Sequence, residues 1–146
     1  MKALLQRVAQ AEVTIHDQVQ GRIGQGLLVL LCAEPNDNET IADRLLRKTL
    51  ALRIFADDAG KMNRSVLDIG GELLIISQFT LCADTSSGNR PSFTAAAPPL
   101  LAQTLYDYFV NQASLSGLRV QTGQFGADMK VGLVNDGPVT IPITMR

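Results

Sequence analysis

Two short, almost wholly apolar runs constrain the fold of this chain more than any other feature. The first, LLVLLCA, covers residues 27–33, and the second, LLII, covers residues 73–76. Both are far shorter than the roughly 20 apolar residues that a membrane span needs, and such runs are typical of strands buried in a sheet. Apolar and polar residues alternate from Val13 to His16, which predicts a half-buried strand earlier in the chain. The first third of the chain is therefore expected to consist mainly of strands.

Two helices are expected between and after these strands. Asn36, with Glu39 three positions later, resembles a capping box and predicts a helix that runs to about Arg53. A second helix is expected to start near Pro98 and Pro99, because proline is accepted in a first helical turn. The apolar face of the first helix is predicted to hold Ile41, Leu45, Leu46, Thr49 and Leu50, and that of the second Leu101, Leu105 and Phe109.

Turns and loops are expected where glycine and polar residues cluster. The stretches HDQVQGRIGQG, DDAGKMN and DTSSGNRPSF are predicted to be turns or loops, and the first holds Gly21, Gly24 and Gly26. These three glycines do not match the GxGxxG spacing of a dinucleotide-binding loop, so we interpret them as turn residues. The strand in GELLIISQFTL is expected to be interrupted by polar residues at its far end.

The last part of the chain predicts two strands, one near 129–133 and one near 139–143. Between them lies VNDGPVTIP, in which Gly137 and Pro138 interrupt a strand-like run, although proline has no N–H for a sheet ladder. Pro142 places the final strand at an edge or makes it short. The count predicts an α+β fold over residues 1–146: a single compact domain with antiparallel or mixed, barrel-like sheets and two main helices.

Composition narrows the classes of function. Apolar residues make up 46% and charged residues 18%, and 13 basic against 14 acidic side chains give a net charge of −1. This balance gives no support to nucleic-acid binding, although a local basic patch can provide it. Cys32 and Cys82 lack CxxC spacing and are expected to pack as small buried hydrophobes rather than form a disulfide or metal site. No secretory signal or membrane span is apparent, so a cytoplasmic protein without cofactor is expected.

Two polar clusters could carry chemistry. SQFT, residues 77–80, follows the second apolar run, where functional residues often lie. It is also compatible with a strand end whose hydroxyls satisfy turn hydrogen bonds. NDGPVT, residues 135–140, is equally compatible with a hairpin turn. The single histidine, His16, has no motif around it, and GxSxG, HExxH and Walker patterns are absent, so a conventional catalytic triad is not expected.

SQFTL together with NDGPVT resembles the D-aminoacyl-tRNA deacylase family. Further segments resemble the same family in the same order: LLQRVAQAEVTI, GLLVLL, RIFADDAGKMN, GNRPSF, LYDYF and QTGQFGADMKVGLVNDGPVT. The likeness covers nearly the whole chain and is weakest at IPITMR. Ser87, just before Gly88, stands where a basic residue is expected in relatives, which would weaken contact with tRNA phosphates.

The resemblance implies hydrolysis of the ester between a D-amino acid and the acceptor end of tRNA, with mischarged glycyl-tRNA as a further substrate. It implies a cis peptide bond at Gly137–Pro138 that reaches into the partner's site in an obligate homodimer and excludes L side chains. The roles it implies are catalytic for Gln78 and Thr80, substrate binding for Gly137 and Pro138, and support of that motif for Arg7. Substrate binding is also expected of Ser77, Phe79, Phe125 and Met129.

Several alternatives stay open at this point. Thr80 is either a nucleophile or an organiser of the attacking water, and nothing near it in sequence would activate its hydroxyl. Contacts to the tRNA body are expected from local basic residues: Arg44, Arg47, Lys48, Lys61, Arg64 or Arg90. The alternative function is a non-catalytic module that binds a nucleotide or a D-amino acid. A third possibility is a structural dimer in which Gly137–Pro138 is only a hairpin turn.

Overall fold

A computed structural model describes residues 1–146. One mixed six-stranded sheet, two α-helices, a short 3₁₀ helix and a small separate hairpin make up the fold, as the predicted α+β class requires. The sheet strands are β1 (Lys2–Ile15), β2 (Gln18–Ile23), β3 (Gly26–Cys32), β6 (Glu72–Ser77), β7 (Val120–Thr122) and β8 (Lys130–Thr144). The hairpin is β4 (Phe55–Ala56) with β5 (Met62–Arg64), and the helices are α1 (Glu39–Ala51), the 3₁₀ helix (Phe79–Cys82) and α2 (Pro99–Ser114).

The long strand β1 organises the sheet. It pairs antiparallel with β2 and β3 along one edge and with β8 along the other. The predicted alternation at Val13 and Ile15 is confirmed, since both side chains are buried, and the strand extends back to Lys2. His16 lies exposed in the turn that follows, with a φ of 48°. Because β2 also lies against β6 and β7, the sheet curls into a nearly closed barrel.

The two apolar runs form the predicted buried strands, β3 and β6, which pair in parallel. The interpretation of the preceding glycines as turn residues was wrong for two of them, because Gly21 lies in β2 and Gly26 begins β3. A Cβ atom on Gly21 would lie 2.9 Å from the carbonyl oxygen of Thr122 in β7, and one on Gly26 would collide with the backbone of Glu72. These glycines therefore permit close approach of strands rather than a turn.

The C-terminal prediction of two strands was also wrong, and β7 was missed. A single strand, β8, runs through the whole region, with register shifts opposite β1. Gln6 pairs with Thr140 and Val8 with Asn135, so residues 136–139 bulge out opposite a single residue of β1. The Gly-Pro pair is accommodated in this bulge, where no ladder hydrogen bond is required of the proline. β8 pairs only with β1, which places Pro142 in an edge strand as expected.

Both predicted helices are present. The cap of α1 is Asn38 rather than Asn36, and its Oδ1 accepts a hydrogen bond of 3.0 Å from the backbone N–H of Ile41. α1 and α2 pack together and share one apolar core, in which Leu45 and Phe109 are fully buried. Neither helix has the length and apolar character needed to cross a membrane.

Candidate functional site

The predicted SQFT cluster lies where β6 ends and the chain turns into the 3₁₀ helix. β6 follows β3 in parallel, and the backbone N–H of Gln78 continues this pairing with a 2.8 Å hydrogen bond to the carbonyl of Leu31. The chain then turns, so the expected interruption of the strand by the polar residues at its far end is confirmed, and the interruption is a 3₁₀ helix. The first N–H groups of a helix have no acceptor within that helix, and here they belong to Phe79 and Thr80.

Gln78 and Thr80 are joined by a direct side-chain contact. The Nε2 amide of Gln78 donates a hydrogen bond to Oγ1 of Thr80, and Thr80 is exposed. The threonine hydroxyl thus accepts from an amide, and no imidazole, amine or carboxylate accepts its own proton. This arrangement suits a group that orients a water molecule better than a nucleophile, which needs a neighbouring base.

A cavity of about 750 Å³ opens beside this turn, and we refer to it as the site cavity. It is lined by the ends of β3 and β6, by residues 93–102 before and within α2, and by residues 125–131 before and within β8. Nineteen residues line it and 13 of these are hydrophobic, so the cavity offers an apolar pocket with few polar groups, as ligand sites commonly do. Five residues predicted from sequence are among them: Ser77, Gln78, Phe79, Phe125 and Met129.

Two aromatic rings stand at the mouth of the site cavity. Phe79 and Phe93 meet edge to face, with ring centroids 5.1 Å apart and an interplanar angle of 77°. Phe79 is 55% exposed, so its ring remains accessible to a ligand. An exposed aromatic face beside an apolar pocket is a suitable platform for an unpaired base. Phe93 was not singled out from sequence, because its partner lies 14 positions earlier in the chain.

Phe125 is held from behind by Tyr106 of α2. The two ring centroids are 6.1 Å apart, and the Tyr106 hydroxyl donates a 2.8 Å hydrogen bond to the carbonyl of Ile75 in β6. Burial, and then the nearby Asp107 carboxylate, raise the pKa of Tyr106 to about 12. The phenol therefore stays protonated at neutral pH and keeps this hydrogen bond.

The Gly137–Pro138 peptide bond is cis and lies in the exposed bulge of β8. The side chain of Asn135 clamps the bulge from within: its Oδ1 accepts from the N–H of Val139 at 2.7 Å, and its Nδ2 donates to the carbonyl of Val139 at 3.1 Å. The same Nδ2 lies 3.1 Å from Oγ1 of Thr140. The first and last residues of NDGPVT thus serve to hold the bulge closed.

Arg7 of β1 contacts the same bulge. Its Nε donates to the carbonyl of Asp136 at 2.7 Å, and its Nη1 donates to the carbonyl of Ile54 at 2.6 Å. Arg7 therefore connects the bulge to the segment that follows α1. Neither Arg7 nor Gly137 nor Pro138 lines the site cavity, whereas Thr80 is linked to it through Gln78. The residues predicted from sequence thus form two groups within one chain, and their roles stay predictions.

The expectation for the two cysteines was right about burial and wrong about the disulfide. The side chains of Cys32 and Cys82 are both buried, but they form a disulfide although the residues are separated by 50 positions. They meet because β3 and β6 are parallel neighbours, so the end of β3 lies beside the 3₁₀ helix that follows β6. Only the strand pairing, which local sequence does not reveal, would have predicted this bond. No three His, Cys, Asp or Glu side chains lie close enough together to hold a metal ion.

Comparisons with known proteins agree on one family. The family model described as D-Tyr-tRNA(Tyr) deacylase matches residues 4–144. The D-aminoacyl-tRNA deacylase of Variovorax paradoxus is 65% identical over 145 residues, covering 99% of each chain. That of Polaromonas naphthalenivorans is 64% identical over 148 residues, covering 98% of this chain and 96% of the relative.

Two solved structures share the fold. The c-Myc DNA unwinding element binding protein superimposes with a TM-score of 0.93 at 40% identity, over 99% of this chain and 98% of that one. A probable eukaryotic D-amino acid tRNA deacylase superimposes with a TM-score of 0.86 at 17% identity, over 97% of both chains. At that identity the second likeness concerns the fold alone.

Proposed function

The chain belongs to the D-Tyr-tRNA(Tyr) deacylase family, whose members hydrolyse the ester between a D-amino acid and tRNA, and we propose that it does so with the Gly137–Pro138 bulge as its chiral filter. The observation that carries this proposal is the pairing of two separate features. One is an apolar cavity with an amide–hydroxyl pair, and the other is an exposed backbone bulge held by Asn135 and Arg7.

In the proposed reaction, water attacks the ester carbonyl and the ribose oxygen leaves with a proton. Gln78 and Thr80 hold the water, and the 2′-hydroxyl of the terminal adenosine assists the proton transfer. The negative charge that develops on the carbonyl oxygen is stabilised by the N–H groups at the start of the 3₁₀ helix, as oxyanion holes do. The adenine base stacks on Phe79, with Phe93 supporting that ring from its edge.

Selection against L-amino acids is proposed to act by exclusion. The backbone atoms of Gly137 and Pro138 would meet an L side chain, whereas a D side chain points away from them. Glycine has no side chain to exclude, so glycyl-tRNA is a further expected substrate. Because the bulge does not line the cavity of its own chain, we propose that it enters the cavity of a partner in a homodimer. The cytoplasm, where aminoacyl-tRNA is used, is the expected location.

A matched pair of substrates tests the reaction. Catalytic amounts of the protein should hydrolyse many equivalents of D-tyrosyl-tRNA and leave L-tyrosyl-tRNA intact. A non-catalytic binding module, the alternative function, would protect the ester instead. Hydrolysis of neither ester above the rate without protein would reject the enzymatic proposal. The water mechanism would be wrong if Thr80→Ala lost activity while it still folded and bound substrate, and if an acyl-Thr80 adduct could be trapped. Thr80 would then be a nucleophile.

Mixed dimers test the contribution of the bulge in trans. Gln78→Ala disables the cavity, so its homodimer should hydrolyse neither ester, whereas Gly137→Ala disables the filter, so its homodimer should also hydrolyse L-tyrosyl-tRNA. After unfolding and refolding an equal mixture, about half of the dimers are mixed, and the one working cavity of each mixed dimer faces the intact bulge of its partner. Hydrolysis of the L ester should therefore fall to about half of that shown by the same amount of Gly137→Ala protein refolded alone. No fall, with mixed dimers shown to form, would mean that the bulge acts within its own chain.

A further inference from the structure

A second cavity, of about 610 Å³, lies along the C-terminal half of α1, and we refer to it as the α1 groove. Four of its seven lining residues are basic and none is acidic: Arg44, Arg47, Lys48 and Arg53, with Ala51, Leu52 and Met145 completing it. The chain carries only 13 basic residues and a net charge of −1. A local concentration of four cations in ten positions therefore makes this groove positive against a slightly negative background.

The cations of the α1 groove are little neutralised by the protein, although Arg53 lies within electrostatic reach of the Asp68 carboxylate. All four side chains are exposed and none takes part in an ion pair, whereas Arg22, Arg64 and Arg119 elsewhere each contact a carboxylate. Arg44 donates a hydrogen bond to the backbone carbonyl of Arg146, and Arg47 and Lys48 contact no acceptor at all. Four like charges held close together repel one another, so an anionic ligand would relieve an unfavourable arrangement.

A favourable interaction with the helix dipole accounts for only part of this pattern. Cations in the last turn of a helix stabilise its negative end, and Lys48 lies in that turn. Arg44 and Arg47 lie further back, and Arg53 follows the helix. Arg44, Arg47 and Lys48 stand at the spacings of three and four that share one helical face, and Arg44 and Lys48 are about 6 Å apart along the axis. This is comparable to the separation of successive phosphates along one RNA strand.

The position of the groove connects it to the proposed site. The segment that leaves the groove reaches Ile54, whose carbonyl accepts a hydrogen bond from Arg7, and Arg7 also holds Asp136 beside Gly137–Pro138. One side chain thus spans the distance between the end of the groove and the bulge. If the bulge meets the aminoacyl ester, the RNA helix that carries the ester continues past this edge of the protein.

We infer that the α1 groove binds backbone phosphates of the acceptor stem of tRNA. This inference rests on the proposed function and selects among the basic residues that the sequence offered for the tRNA body. Double-stranded RNA is contacted through its phosphates and 2′-hydroxyls rather than its bases, so the groove contributes affinity that does not depend on the tRNA sequence. The acceptor end is read in the site cavity, and the α1 groove fixes the stem.

The test compares two double variants that each remove two charges. Arg47→Gln/Lys48→Gln changes the α1 groove without breaking a hydrogen bond, and Lys61→Gln/Arg64→Gln removes the same charge from the β4–β5 hairpin. The dissociation constant for uncharged tRNA is measured against salt, and thermal unfolding of each variant is recorded. Each lost phosphate contact lowers the magnitude of the salt slope by about 1. Between about 50 and about 200 mM salt, the groove variant should therefore lose about tenfold less affinity than the parent.

A short substrate separates the stem from the ester. With D-tyrosyl-adenosine, which has no stem, the groove variant should match the parent in kcat/KM, while its KM for D-tyrosyl-tRNA rises at constant kcat. An unchanged salt slope, or an equal change in the hairpin variant, would overturn the inference even if the parent is an active deacylase. If the parent hydrolyses neither ester while the groove variant still shows a smaller salt slope than the parent, the proposed function would be refuted and the groove would remain a tRNA-binding surface.

Discussion

Replacement of Arg7 by lysine tests how firmly the bulge is held. Arginine bridges two carbonyls that are 129 and 47 positions away in sequence, through separate nitrogens of one planar group. Lysine keeps the charge but, as a point donor on a flexible stem, cannot reach both carbonyls in that geometry. A hydrogen bond from a charged donor contributes about 1.5–3 kcal/mol. Because Arg7 is half-buried rather than enclosed, we expect loss of one such bond to cost about 1–2 kcal/mol of the free energy of unfolding.

The functional effect of Arg7→Lys should have a similar size. If the lost bond loosens the bulge by about 1–2 kcal/mol, the ratio of D-tyrosyl-tRNA to L-tyrosyl-tRNA hydrolysis should fall about 5- to 30-fold. Urea unfolding gives the stability and the two kcat/KM values give the ratio. Arg22→Lys is the matched control, since Arg22 makes an exposed ion pair with Glu12, for which we expect at most about 1 kcal/mol. Parent-like stability and selectivity in Arg7→Lys would refute a bracing role for the arginine.

Three further changes have defined outcomes. Gly137→Ala places a Cβ atom 2.8 Å from the backbone nitrogen of Val139 at a φ of +153°. We therefore expect urea titration to show a loss of about 1–3 kcal/mol in the free energy of unfolding. Gly60→Ala is the control and should lose less, because its φ is +79° but the space around it is open. Cys82→Ala removes a cross-link between residues 50 positions apart, whose contribution to the free energy of unfolding is about 4 kcal/mol in the loop-entropy model. The thermal unfolding of this variant should therefore match that of the reduced parent. Unfolding of the parent that does not change with reductant would contradict the role of the disulfide. A hydrogen bond from Arg119 lowers the pKa of Glu72. This carboxylate therefore contributes stability that is fully present above about pH 4.3 and is lost as the pH falls through the folded-state pKa. Arg119→Gln should consequently lose less stability on acidification than the parent.

Sequence patterns predicted the parts of the fold that depend on local periodicity. The alternation around Val13, the apolar runs of β3 and β6 and the two helical faces were sufficient because each element buries one face or both. β7 was missed because three residues are too few for a pattern, and the bulge of β8 was missed because it arises from pairing with β1. The glycines of β2 and β3 were misinterpreted for the same reason, since their constraint comes from a neighbouring strand.

The two motifs of the candidate site could be predicted from the sequence, but their positions relative to each other could not. SQFT and NDGPVT stood out by composition, yet only the structure places them apart within one chain. Phe93 and the Cys32–Cys82 bond depend on contacts between distant segments, and no local signal marks them. Asn135 could have been singled out from the sequence, because it begins the NDGPVT motif and its hydrogen-bond partner Val139 lies only four positions later.

The site cavity is assembled from four stretches of chain that meet only in the finished barrel: residues 31–33, 76–79, 93–102 and 125–131. No single hairpin, helix pair or half of the sheet supplies all four of these stretches. Enzymatic turnover in a denaturant titration should consequently follow the folded fraction point by point, without a partly active intermediate. Hydrolysis of the D ester can thus serve as a quantitative reporter of correct folding for this protein, for instance when variants are ranked directly in crude extracts.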